Sequence, residues 1–215
     1  MSGGRRLAPV WGLVLGVLLA SLAPARAENV GITGRKLVVI DKLEFSNKAA
    51  VRFFSLDSRI DKGDGLLAAN IGATFDITIE ALNHPPIAGA FSIPTGFSET
   101  AGWRVNRPTL AKFVNPGAPG GPTQVRVASV GTNHFVKISA KGLGDLPLPI
   151  ESLRFINSFA VQVRFTVMNG TETIMHCTLF DDEDCVFSLI AGGTGHKLQC
   201  TNGDAIPDCA FPTPF

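Results

Sequence analysis

Tyrosine is absent from this 215-residue sequence, and tryptophan occurs only at Trp11 and Trp103. Sugar-binding surfaces commonly stack a sugar face on exposed Trp or Tyr, whose amphipathic rings tolerate water. A carbohydrate site therefore has little to build on beyond Trp103. A strong charge of one sign is missing too: 19 Lys and Arg stand against 18 Asp and Glu. With no run of bases, the pattern argues against a nucleic-acid or anionic-membrane partner. Neither an H-E-x-x-H zinc helix nor a G-x-S-x-G nucleophile elbow occurs. The four histidines are His84, His134, His176 and His196. His84 precedes two prolines and His134 adjoins a turn, so both read as exposed loop residues. The sequence presents no catalytic constellation.

No apolar run reaches the roughly 20 residues needed to span a bilayer as a helix. The longest, Val10 to Leu22, follows Arg5-Arg6 and precedes Ala25-Arg26-Ala27. A positive n-region, a short apolar h-region and a small-x-small site read as a cleaved signal peptide over residues 1–27. The mature chain is then secreted or periplasmic, with no membrane span. Cleavage removes three of the 19 basic residues and none of the 18 acidic ones, so the formal charge passes from +1 to −2. Trp103 becomes the one remaining tryptophan. Residues 28–215 suffice to bury about 70% of their unfolded surface, which fits a single domain.

What is present is strand pattern. Residues 73–82 place Phe75, Ile77, Ile79 and Ala81 on one face and Thr74, Asp76, Thr78 and Glu80 on the other. Period two marks a half-buried strand, because a helix would scatter those apolar groups around its surface. Residues 159–167 alternate similarly, and Asn169-Gly170 suits a type I′ turn into a returning strand over 171–180. That turn sets His176 opposite Val163, half-buried. Shorter strands are expected at 35–42, 49–56, 90–93, 103–105, 111–114, 124–130, 135–141, 186–190 and 197–200. Residues 43–48 read as a hairpin loop, 57–65 and 142–149 as loops, 66–70 as one helical turn, and 115–122 as a Gly/Pro-rich connection. About ten short strands between such turns imply an all-β fold, an antiparallel β-sandwich of jelly-roll type.

Cys177, Cys185, Cys200 and Cys209 form an even set in a chain with an export signal, so two disulfides are expected. No pair has the close spacing of a zinc site, and no Cys-x-x-Cys suggests redox catalysis. Three pairings are open. A hairpin joining 186–190 to 196–199 would set Cys185 opposite Cys200, which favours the nested arrangement with Cys177 joined to Cys209. The C-terminal segment is then a tail clamped onto the domain.

Ile32-Thr-Gly-Arg-Lys-Leu37, Gly102-Trp-Arg-Val-Asn106 with Ala111-Lys-Phe-Val-Asn115, Ala140-Lys-Gly-Leu-Gly144, and the stretch from His176-Cys177 through Lys197-Leu-Gln-Cys200 to Cys209 are worth setting side by side. Together they resemble a loose family of secreted, β-rich, uncharacterised bacterial proteins with C-terminal cysteines. The resemblance implies export, disulfides and an all-β fold. It implies no activity and no site residues.

Calcium is the one cofactor the residues suggest. Asp57, Asp61 and Asp64 with Gly65 form an oxygen-rich loop, but match only a fragment of the D-x-[DN]-x-[DN]-G pattern. Asp181-Asp-Glu-Asp184, and Asn202 with Asp204 and Asp208, are similar fragments. Solvated acidic loops account for all three. The expectation is thus an exported, non-enzymatic binding or surface module, with a carbohydrate- or calcium-binding module as the alternative and a secreted hydrolase behind it.

Overall fold

The computed structural model describes residues 26–41, 49–96, 101–107, 110–115, 122–130, 133–141, 148, 150–169, 172–190, 192–193 and 195–210. The hairpin loop expected at 43–48 and most of the 115–122 connection lie outside them, as do residues 1–25. Thirteen strands form one sheet. They are β1 (Arg26–Gly31), β2 (Gly34–Asp41), β3 (Ala50–Leu56), β4 (Ala73–Ala81), β5 (Ile87–Ile93), β6 (Gly102–Arg107) and β7 (Leu110–Val114), followed by β8 (Pro122–Val130), β9 (Asn133–Lys141), β10 (Phe159–Asn169), β11 (Glu172–Phe180), β12 (Cys185–Leu189) and β13 (His196–Ala205). Among the described residues one α-helix, α1 (Lys62–Ile71), lies between β3 and β4. The expected single turn at 66–70 is therefore a ten-residue helix.

The strand order is β5-β4-β10-β11-β13-β2-β3-β9-β8-β7-β6, with β12 paired to β13 and β1 to β11. All ladders are antiparallel except β1 on β11. The sheet curls on itself. Phe53 of β3 and Phe75 of β4 have four strands between them in the order, yet their rings sit 5.7 Å centre to centre. Helix α1 lies against β10, β7 and β8 and buries Ala68 and Ala69 between them. The inward residues of β4 and β10, from Phe75 to Ile79 and from Val161 to Val167, are essentially without solvent contact, which explains their alternation in sequence.

Strand β13 makes the corner. Its residues 196–203 pair with β2, and its last residues, Asp204 and Ala205, pair with Leu179 and Thr178 of β11. Just before the last β2 pair, Asn202 adopts φ 61°, a left-handed conformation that Asn tolerates better than most residues. Gly203 and Gly34 face each other across this point, and the buried Phe180 ring covers both. A Cβ on Gly203 would stand 2.6 Å from that ring, and one on Gly34 2.5 Å from it.

Two sequence expectations need correction. Asn169 pairs with Glu172, which sets His176 opposite Phe165 rather than Val163. The two-residue connection is thus 170–171, one position later than expected. Because partners shift by two residues, His176 keeps the inward face it would have had. The 197–200 strand also runs on to Ala205, so Asn202 and Asp204 belong to a strand and not to an ion-binding loop.

Candidate functional site

Asp57 follows β3, and every polar contact it makes is structural. Its Oδ2 accepts from the Thr33 amide at 2.8 Å, the Thr33 hydroxyl at 3.1 Å and Arg59 Nη2 at 2.6 Å. Its Oδ1 accepts from the Arg59 amide at 3.0 Å and Arg59 Nε at 2.9 Å. The Ser55 hydroxyl donates to the Thr33 carbonyl at 2.7 Å, and His134 Nδ1 meets the Ile60 carbonyl at 2.7 Å. The carboxylate thus ties the Thr33 segment before β2 to the end of β3, and the Asp57 amide and His134 Nδ1 bonds add β9 to the corner. The Arg59 guanidinium holds both carboxylate oxygens that the calcium expectation assigned to a cation. Asp61 Oδ1 accepts from the Gly63 amide as the chain enters α1, and the Asp64 side chain lies outside the described set. Among the described residues no three acidic, His or Cys side chains are placed to hold a metal ion.

Burial alone would raise the Asp57 pKa. The Arg59 side-chain and amide bonds and the Thr33 amide outweigh that, holding it well below the usual carboxylate range. A carboxyl with a lowered folded-state pKa stabilises fully above its unfolded value, near 3.9, and that contribution fades as pH falls through the folded value. Urea unfolding should therefore show stability declining steeply below about pH 4. Asp57→Asn should lose about 1.5–3 kcal/mol at pH 7 and decline less on acidification. Parallel pH profiles for the two proteins would contradict this assignment.

Trp103 lies on β6 with 1% of its surface exposed. Its indole N–H donates to the Pro94 carbonyl at 2.9 Å, and its ring packs on Phe113 at 5.6 Å. An enclosed ring offers no face to a sugar, so the carbohydrate expectation attached to Trp103 is withdrawn. The indole instead anchors residues 94–96 to β6, since the Trp103 amide also donates to the Gly96 carbonyl.

The cysteines pair Cys185 with Cys200 and Cys177 with Cys209. Cys185 and Cys200 are register partners in the β12–β13 ladder. The outer pair fastens residues 206–210 across β11. Gln162 Nε2, buried on β10, donates to the Cys209 carbonyl at 3.0 Å, and Asn29 Nδ2 donates to the Asp208 carbonyl at 2.9 Å. The backbone of Ile206 rests on Gly31, where a Cβ would come within 2.8 Å. Strand β1 is thus held between the β11 edge and the tail. Sequence reasoning missed this strand, because Arg26–Gly31 has no alternation and its partner lies far along the chain.

A surface groove of about 340 Å³ lies at the start of β5, lined by His84, Pro85, Pro86, Ile87, Ala88, Ser152 and Ile156. The last two come from or follow a 3-10 turn, Ile150–Phe155, which buries Ile150 and Leu153. His84 and Ser152 share the groove, but among its described lining residues no carboxylate stands to orient the imidazole as in a Ser-His-Asp site. His176 and His196 are buried and stack on Phe165 and Phe187 at 6.1 and 5.5 Å. His134 is half-buried at the Asp57 corner rather than exposed. No protein-family model matches the sequence, and no curated protein or solved structure matches it significantly.

Proposed function

We propose that the chain is an exported, non-enzymatic β-sandwich protein, secreted or periplasmic, that serves as a binding or surface module. The observation that carries this reading is the pair of cystines closing the C-terminal segment. Such crosslinks form and persist in oxidising compartments. The signal-like residues 1–27 supply the route, and Glu28 becomes the first residue of the mature chain, inside β1. The contact between Phe53 and Phe75 across the curled sheet supports the sandwich description. The resemblance to secreted bacterial proteins with C-terminal cysteines points the same way.

Expression of the full sequence in a host with a secretory pathway tests this. The exported fraction should begin at Glu28, carry the mass of two disulfides and resist thiol alkylation until reduced. Recovery of the full-length chain, with alkylatable cysteines, in the cytoplasm alone would defeat the proposal.

A further inference from the structure

We propose that the outward face of the β13-β2-β3-β9-β8-β7-β6 half of the sheet binds a linear acidic polysaccharide through a cross-strand row of basic residues. The inward residues of this half, such as Leu37, Phe53, Ile138 and Phe113, form the core. Their neighbours of opposite parity face outward, and bases recur among them. Lys36, Phe54, Lys137, Lys112 and Arg104 lie on one register line across six adjacent strands, on which β8 contributes the backbone of position 126. Strand spacing of about 4.8 Å makes that row roughly 24 Å long. Lys36 and Lys137 are exposed, and Lys112 and Arg104 half-buried. Arg52 and Lys197 flank the row on the same face, exposed and half-buried.

Among the described residues of these strands, no acidic residue has outward parity. Of the acids in the same strands, Asp41 is in register with His196 on the core side, and Asp204 lies where β13 has crossed to β11. The acids cluster elsewhere, as in Asp181–Asp184 between β11 and β12. A chain of nearly zero net charge thus carries one strongly positive face, and charge complementarity calls for a polyanion.

The row's shape and chemistry select the kind. A single line of mainly lysine point charges suits an anion bearing one carboxylate or sulfate at a time, whereas recognition of single-stranded nucleic acid adds exposed aromatic rings for stacking. The two aromatics on this face, Phe54 and Phe135, are half-buried and pack on each other at 6.1 Å. A lipid surface would be met by apolar side chains among the bases. The exposed large hydrophobics instead lie outside the row, with Leu82 and Phe155 on other elements and Val186 and Leu189 on the outermost strand, β12.

The test measures binding of the oxidised mature chain to a polyuronate, a sulfated dextran, neutral dextran, duplex and single-stranded DNA, and anionic phospholipid vesicles. Binding to the acidic polysaccharides alone is expected, weakening at least about tenfold between 50 and 200 mM salt. Lys36→Glu/Arg52→Glu/Lys137→Glu should weaken it more than tenfold. The neutralising set Lys36→Gln/Arg52→Gln/Lys137→Gln, which adds no repulsion, should give an intermediate loss. Circular dichroism and thermal melts confirm that both variants fold. Failure to bind either acidic polysaccharide at low salt, unchanged binding by folded variants, or tighter binding to DNA or vesicles would each overturn the proposal.

Discussion

Gly203→Val should cost about 3 kcal/mol of folding stability, measured as a lower urea midpoint with an unchanged slope. A Cβ there meets Phe180 Cδ1 at 2.6 Å and the Leu179 carbonyl oxygen at 2.7 Å, and neither neighbour has room to retreat. Phe180 is fully buried where β13 crosses between the two halves of the sheet. Gly34→Val should behave alike, because its Cβ would meet the far end of the same ring at 2.5 Å and the Thr178 hydroxyl at 2.7 Å. The cause can be isolated by shrinking the ring. Phe180→Leu alone should destabilise, yet combined with Gly203→Ala it should cost less than the sum of the two changes, because the smaller side chain yields the space. Strict additivity would show that the ring is not what excludes the methyl group.

Replacing Cys177 and Cys209 with serine should cost roughly 4 kcal/mol by loop-closure entropy, since the bridge spans 32 residues. The loss should also be local. Residues 206–210 and β1 should exchange amide hydrogens rapidly, while β4 and β10 remain protected, because the tail and β1 hold each other in place. The Cys185–Cys200 bridge, closing a 15-residue separation within a hairpin, should contribute about 3 kcal/mol and leave β1 undisturbed when removed. Simultaneous loss of protection in β4 and the tail would show that the whole sheet unfolds as one unit.

Strands β4 and β10 were legible because each buries one face along its whole length, which imposes period two on the residues themselves. Helix α1 was legible only as a fragment. It is short and carries two glycines, and the residues seen buried in it, Ala68 and Ala69, are small, so its pattern is weak. The turn after β10 shows a different limit. Asn-Gly is a strong local signal, but the ladders of β10 to β4 and β11 place the connection one residue later and shift the pairing by two. Asp57 and Trp103 looked like ligand-binding residues because the sequence shows their chemistry and not their neighbours. Arg59 and Thr33 take up one, and Pro94 and Phe113 the other.

By itself the sequence determined that the chain is made of strands and that its cysteines are spaced for crosslinks, because alternation and spacing are properties of neighbouring residues. Tertiary structure alone decided that β1 lies beneath the tail, that the β13 corner admits only glycine under Phe180, and that Lys36, Lys137, Lys112 and Arg104 from four strands share one register line. Those arrangements depend on which strands meet and in what register, and the long-range packing of the curled sheet decides both.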